Sequence, residues 1–131
     1  MKFGAMLGDV TRSLIKKPIT EEYPKVRQEA PERFRGCLDW NPEKCTGCGM
    51  CAMDCPANAI EMIVIDKKNR RFVLQYHIDR CTFCAQCVHS CMHGCLEMRS
   101  DLWELAAMDK DNFTKWFGEA GDIKYALAQS A

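Results

Sequence analysis

No stretch of this 131-residue chain approaches the roughly 20 consecutive apolar residues that a bilayer-crossing helix needs. A transmembrane segment is therefore not expected. The N-terminal MKFGAMLGDVTRSLIKK returns quickly to polar residues, without the long apolar run of a secretory leader, and the abundant cysteines argue for a reducing compartment. Net charge is lacking as well: eighteen Lys and Arg balance eighteen Asp and Glu, and nothing in the composition supports nucleic-acid binding. There is no Gly-rich nucleotide loop and no Ser-His-Asp signature, and the carboxylates are scattered as surface charge. A substrate-converting site is not expected on this chain.

Cysteine is what the chain has in excess, with ten. Eight of them form two runs of one spacing, Cys45, Cys48, Cys51 and Cys55 followed by Pro56, and Cys81, Cys84, Cys87 and Cys91. Cys-x2-Cys-x2-Cys-x3-Cys is the pattern of cubane iron–sulfur sites in bacterial ferredoxins, where the fourth thiolate of each run serves the other run's cluster. Three thiolates on a tight loop can cap three corners of a cube, while the fourth opens the next segment. Gly47 and Gly49 lie where the backbone must turn sharply and bring N–H groups near cluster sulfurs. Pro56 then redirects the chain.

An offset of 36 lays CTGCGMCAMDCPANAIEM (45–62) over CTFCAQCVHSCMHGCLEM (81–98), matching four cysteines and also Thr46 with Thr82, Glu61 with Glu97 and Met62 with Met98. The duplication implies two similar half-units related by an approximate two-fold axis. Disulfides and zinc compete for the same residues. Disulfide scaffolds suit small secreted chains, and zinc knuckles use paired Cys-x2-Cys. Three cysteines at steps of three plus a fourth after four, occurring twice, fit a cube better. Two oxidised cubanes with four thiolates each carry about −2 apiece, so the loaded chain sits near −4, and nearby Lys and Arg would offset part of that.

Along the chain, residues 2 to 16 read as an amphipathic helix with Phe3, Met6, Leu7, Val10 and Leu14 on one face, ended by Pro18. A small cluster domain has little surface to spare for it, so it reads as a docking arm for another subunit or a membrane surface, against the plainer reading of a helix packed on its own domain. From Pro18 to Trp40 the chain is charged and broken by Pro24, Pro31 and Gly36, as an extended arm would be. Ile60 to Val64 and Arg71 to Tyr76 flank Asp66-Lys67-Lys68-Asn69, a hairpin signal. Small helices are expected to begin after Cys55 and after Cys91. Beyond Met98, Ser100 or Asp101 can cap a helix through Met108, while Leu102 to Leu105 also fits a strand. Phe113, Trp116 and Phe117 read as packing residues. The expected fold is thus α+β, a ferredoxin-like pseudo-two-fold two-cluster domain (41–99) between an N-terminal helical arm (1–40) and a C-terminal extension (100–131).

PITEEYP (18–24), RFRG (33–36), the first cysteine run through Ile60, YHIDRCTFCAQC (76–87) and DLWELA (101–106) together resemble something more specific. They are similar to the two-cubane ferredoxin-like subunit shared by respiratory complex I and membrane-bound energy-converting NiFe hydrogenases. The resemblance covers residues 1 to about 108. It implies two 4Fe–4S clusters, one held by Cys45, Cys48, Cys51 and Cys91, the other by Cys81, Cys84, Cys87 and Cys55. It also implies an electron relay in the peripheral arm of a membrane-bound, ion-translocating oxidoreductase, on the cytoplasmic side in a prokaryote, with neighbouring iron–sulfur or NiFe-type subunits on either side. The DLWELA tail and short arm lean toward the hydrogenase-like branch. The alternative is a freely diffusing two-cluster ferredoxin, which would need little beyond the cluster core.

One departure stands out: the family usually has Pro after both fourth cysteines, whereas Met92, His93, Gly94 and Cys95 follow Cys91. This leaves ligation intact and bears on exposure and hydrogen bonding at the Cys91-ligated cluster. Cys37 and Cys95 lie outside the runs and read as packing residues; Cys95 aligns with Ala59. His77, His89 and His93 read as surface or structural before they read as proton-coupled groups. Phe83 reads as a shield between a cluster and water.

Overall fold

The computed structural model describes residues 4, 6–101 and 105–130. Its elements in chain order are α1 (Leu7–Ile15), β1 (Leu38–Trp40), α2 (Met50–Met53), β2 (Ile60–Asp66), β3 (Arg71–His77), α3 (Gln86–Ser90), β4 (Leu96–Met98), a 3-10 turn (Lys110–Phe113), β5 (Thr114–Phe117) and α4 (Ala120–Ser130). The class is α+β, with two antiparallel sheets: β1 with β4, and β2-β3-β5 with β3 in the middle. No helix among the described residues is long and apolar enough to cross a membrane.

The hairpin anticipated from Ile60 and Arg71 is β2–β3, running from Ile60 opposite Tyr76 to Val64 opposite Phe72, with an irregularity between Val64 and Asp66. Asp66 organises its turn by accepting from the backbone N–H of Lys68 at 2.8 Å and from the side-chain amide of Asn69 at 2.6 Å. Those donors hold its carboxyl below the usual carboxylate range. As the central strand, β3 buries Val73, Leu74 and Tyr76 completely. Each such side chain contributes on the order of 1.5–3 kcal/mol of apolar burial.

Residues beyond Met98 return to this sheet. β5 pairs with β3 from Leu74 opposite Phe117 to His77 opposite Thr114, and Phe117 meets Trp40 edge-on at 6.5 Å. Phe113 and Phe117 thus pack against the core, as their composition suggests. Helix α4 then buries Asp122, whose carboxylate pairs with the Arg71 guanidinium, Nε lying 2.9 Å from Oδ1. A buried carboxylate needs such a partner, and the pair ties α4 to the start of β3.

The two three-residue strands β1 and β4 join distant parts of the chain, with Leu38 opposite Met98 and Trp40 opposite Leu96. Leu38, Trp40, Ile60, Phe72, Leu74, Tyr76, Ile78 and Leu96 form the core together with Cys37, Cys45, Cys51 and Cys95. Residues 36–40, which read from sequence as the end of the arm, lie within or beside that core: Gly36, Cys37, Leu38 and Trp40 are buried. What remains outside it is α1 and the irregular stretch to Arg35, exposed almost throughout. Helix α1 keeps Met6, Leu7, Val10, Leu14 and Ile15 in contact with solvent. Lys2 and Phe3 lie outside the described residues, as do Leu102, Trp103 and Glu104, where helix and strand competed.

Candidate metal centre

The short helices sit before the fourth cysteine of each run, correcting the expectation that they begin after it. α2 contains Cys51 and α3 contains Cys87. Each starts from a residue in the left-handed region, Gly49 at φ 76 and Ala85 at φ 63. The physical reason lies in the turn before them: a left-handed residue two positions ahead of the third cysteine redirects the chain into a short helical turn, which ends before the fourth. After the fourth cysteine its own sulfur takes over the turn. Cys55 Sγ accepts from Ala59 N–H at 3.2 Å, and Cys91 Sγ from Cys95 N–H at 3.4 Å.

These two bonds are one instance of a wider pattern. The N–H of Gly47 donates to Cys45 Sγ at 3.4 Å, and that of Phe83, 36 residues on, to Cys81 Sγ at 3.3 Å. Asn41 N–H reaches Cys95 C=O at 2.8 Å as His77 N–H reaches Ala59 C=O at 2.8 Å. The pairing of Leu38, Asp39 and Trp40 with Met98, Glu97 and Leu96 repeats as Leu74, Gln75 and Tyr76 with Met62, Glu61 and Ile60. Even without proline the segment after Cys91 turns like its counterpart: Gly94 N–H bonds to Cys91 C=O at 3.2 Å, Asn58 N–H to Cys55 C=O at 3.3 Å, and Gly94 and Asn58 both have positive φ.

Gly47 is required by space as well as by its φ of 67, because a Cβ there would overlap the buried Phe72 ring. The matching position carries Phe83 at φ 53, a strained conformation for a side chain of that size. Phe83 is half-buried against the core, in keeping with a shielding role.

The sulfurs gather as follows. Cys55 lines one cavity with Cys81, Cys84 and Cys87, together with Tyr76 and Leu38. Burial, and then the charge of neighbouring Cys81, push the Cys87 thiol up to about 11; Cys51 and Cys55 add to the effect. In the other half, burial and Cys45 push Cys51 up to about 11, with Cys48 and Cys91 contributing. Each half thus brings three of its own cysteines near the fourth of the other. Thiols crowded in this way resist ionisation unless cations neutralise them. Cys48 and Cys84, the second of each run, are exposed. Hydrogen bonds from the backbone N–H of Gln86 and from Thr82 hold Cys84 below the usual thiol range, helped by Arg35.

Basic groups reach this region as the charge argument required. Arg35, in the RFRG segment, donates to Cys84 C=O at 3.0 Å, Arg70 to Cys45 C=O at 3.1 Å, and Lys115 Nζ lies 3.3 Å from the sulfur of buried Cys37. His77 Nδ1 lies 3.2 Å from Thr114 Oγ1, while His89 and His93 are exposed. Among the described residues, the buried side-chain atoms without a hydrogen-bond partner are Trp40 Nε1 and Tyr76 Oη; these residues correspond at the offset of 36. Tyr76 borders the Cys55 cavity, and burial together with the Cys81 sulfur it faces pushes its phenol well above the ordinary range. A buried phenol facing a set of thiols suits a site whose acceptors are cluster sulfurs. Among the described residues no three His, Cys, Asp or Glu converge so as to hold a single metal ion. A cubane places each thiolate on its own iron, so its ligands need not converge as a mononuclear zinc site demands.

Residues 44–95 match the 4Fe-4S dicluster domain family. The chain's relatives include NADH-quinone oxidoreductase subunit I of Carboxydothermus hydrogenoformans, 39% identical over 66 residues that make up 50% of this chain and 47% of that protein. F(420)H(2) dehydrogenase subunit I of Methanosarcina mazei is 38% identical over 52 residues, 40% of this chain and 29% of that protein. Among solved structures, a chain of the membrane-bound sulfane sulfur reductase, an archaeal respiratory membrane complex, superposes with a TM-score of 0.63 at 32% identity, covering 85% of this chain and 57% of that one. This chain spans less than half the length of those curated relatives. The dicluster domain, its two 4Fe–4S clusters and its kinship with complex I subunit I agree with the resemblance carried by the cysteine runs, the RFRG segment and the YHID lead-in.

Proposed function

We propose that this chain is the electron-relay subunit of a membrane-associated oxidoreductase, with Cys45, Cys48, Cys51 and Cys91 holding one 4Fe–4S cluster and Cys81, Cys84, Cys87 and Cys55 the other. The observation that carries this reading is the cavity that Cys55 shares with Cys81, Cys84 and Cys87, which supports a crossing of the fourth cysteines. The bound clusters supply one-electron transfer. The chain's own residues fix the sulfurs, direct backbone N–H groups at them, and keep water from Cys45 and Cys51 by burial. The two half-units are related by an approximate two-fold axis, a reading supported by the repeated register and hydrogen bonds.

A relay needs neighbours. Helix α1 and the stretch to Arg35 form an assembly arm that packs its apolar face against another subunit near the membrane, on the cytoplasmic side in a prokaryote. Four exposed apolar residues on one short helix, with Met6 at its N-cap, support this, since such a face is unfavourable in water. The sulfane sulfur reductase likeness and the complex I relatives favour a complex of respiratory kind or an energy-converting hydrogenase as the setting. Two measurements test the proposal. Anaerobically purified protein should hold about eight iron and eight acid-labile sulfides; stoichiometric zinc without sulfide would refute the ligand sets. After mild detergent extraction the chain should copurify with several membrane-bound subunits, and a chain missing residues 1–30 should leave that complex with both clusters intact. Purification as a free monomer would establish the freely diffusing carrier instead.

A further inference from the structure

Cys95 is a buried thiol beside a proposed ligand. Its sulfur lies 3.0 Å from Cys91 Sγ, and its backbone N–H donates to that same sulfur at 3.4 Å. In the other half Cys55 Sγ receives the matching N–H from Ala59 at 3.2 Å, but a methyl group stands where Cys95 carries its thiol. Packing alone does not call for sulfur here, because alanine fills the matching buried position.

A sulfur bound to iron has given up its proton and can only accept. The proton between the two sulfurs then belongs to Cys95, and the contact is a hydrogen bond from its S–H. We propose that Cys95 is a positioning residue that raises the reduction potential of the cluster served by Cys91. Reduction adds negative charge to the cube and its thiolates, so a donor aimed at a ligand sulfur favours the reduced form over the oxidised one. The two sites thereby share a ligand pattern and differ in donor count at the crossing sulfur. This inference rests on the ligand sets proposed above.

The test compares the anaerobically purified full chain with its Cys95→Ala and Cys95→Ser variants, by iron and sulfide content and by redox titration of the cluster spectra. All three should hold about eight iron. In Cys95→Ala, one of the two couples should move to lower potential by on the order of tenfold in its reduction equilibrium, about 59 mV for one electron, with the other unmoved. Cys95→Ser, which keeps a donor, should recover much of the shift. A solvent-exchangeable proton coupled to that cluster should disappear in Cys95→Ala. Failure of either couple to move, or equal movement of both, overturns the proposal, as does loss of about four iron from Cys95→Ala, which would make Cys95 a ligand. If the parent chain itself lacks the eight iron, the ligand sets fall first, before any variant is compared.

Discussion

Set side by side, the half-unit from Leu38 to Met62 and the half-unit from Leu74 to Met98 repeat several backbone contacts and differ in character. Their strand register, sulfur-directed N–H groups and left-handed residues recur 36 positions apart. The side chains on that frame differ: Gly47 against Phe83, Gly49 against Ala85, Ala59 against Cys95, Trp40 against Tyr76. Cys45 is buried where Cys81 is only partly so. Backbone geometry decides what the sites can ligate, and the substituents decide how each ligated site behaves.

The largest break in this comparison should come from the crossing cysteines. Cys55→Ala is expected to remove about half of the eight iron and to perturb the cluster of Cys81, Cys84 and Cys87, although Cys55 belongs to the first run. Cys91→Ala should likewise perturb the cluster of Cys45, Cys48 and Cys51. Magnetic spectra showing damage confined to the run in which the mutation lies would reject the pairing.

Next in size is Gly47→Ala. A left-handed alanine costs about 1–2 kcal/mol, and overlap with the Phe72 ring adds about 1–3 kcal/mol. Phe72 is buried and has little freedom to withdraw. Gly49→Ala meets open space and should lose only the backbone contribution, about 1–2 kcal/mol. Denaturant titration of the loaded protein, followed by cluster absorbance, would measure both; equal losses would show that the Phe72 contact is immaterial.

The smallest effect is expected from the reverse change. Ala85→Gly relieves a left-handed alanine, but the greater freedom of the unfolded chain offsets much of the gain. Stability should stay within about 1 kcal/mol of the parent, on the stabilising side. A clear loss would mean that Ala85, a buried residue lining the Cys55 cavity, matters through its methyl group.

Much of the site was legible in the sequence because ligand spacing is local. The cysteine steps, their duplication and the β2–β3 hairpin could all be read within about 54 residues of chain, 45–98. The strand β1 was not, since three residues with their partners near position 97 carry no periodic signal. The left-handed turns at Phe83 and Ala85 were hidden because neither residue type favours that region; only their alignment with Gly47 and Gly49 gives them away. The short helices lie before the fourth cysteines, where four or five residues carry no periodic signal, and the sulfur-bonded turn that follows leads directly into strand. α4 went unread, though Asp122 in its first turn, with Ile123 and Ala126 at helical spacing, offered a faint signal.

The pairing of β1 with β4 bears on the order of events during synthesis. Residues 38–40 leave the ribosome long before 96–98, and until the latter emerge the first strand has nothing to pair with. A nascent chain ending just after Cys55 presents three sulfurs of one proposed cube and a single sulfur of the other. Iron offered at that moment would find two unfinished sockets. The socket that Cys55 serves would be complete with Cys87 and the other only with Cys91, and the strand that follows, β4, then closes the sheet behind them. The proposed interleaving of the two sites would therefore set a checkpoint in time, since neither set of four sulfurs is finished before the chain has entered its second cysteine run.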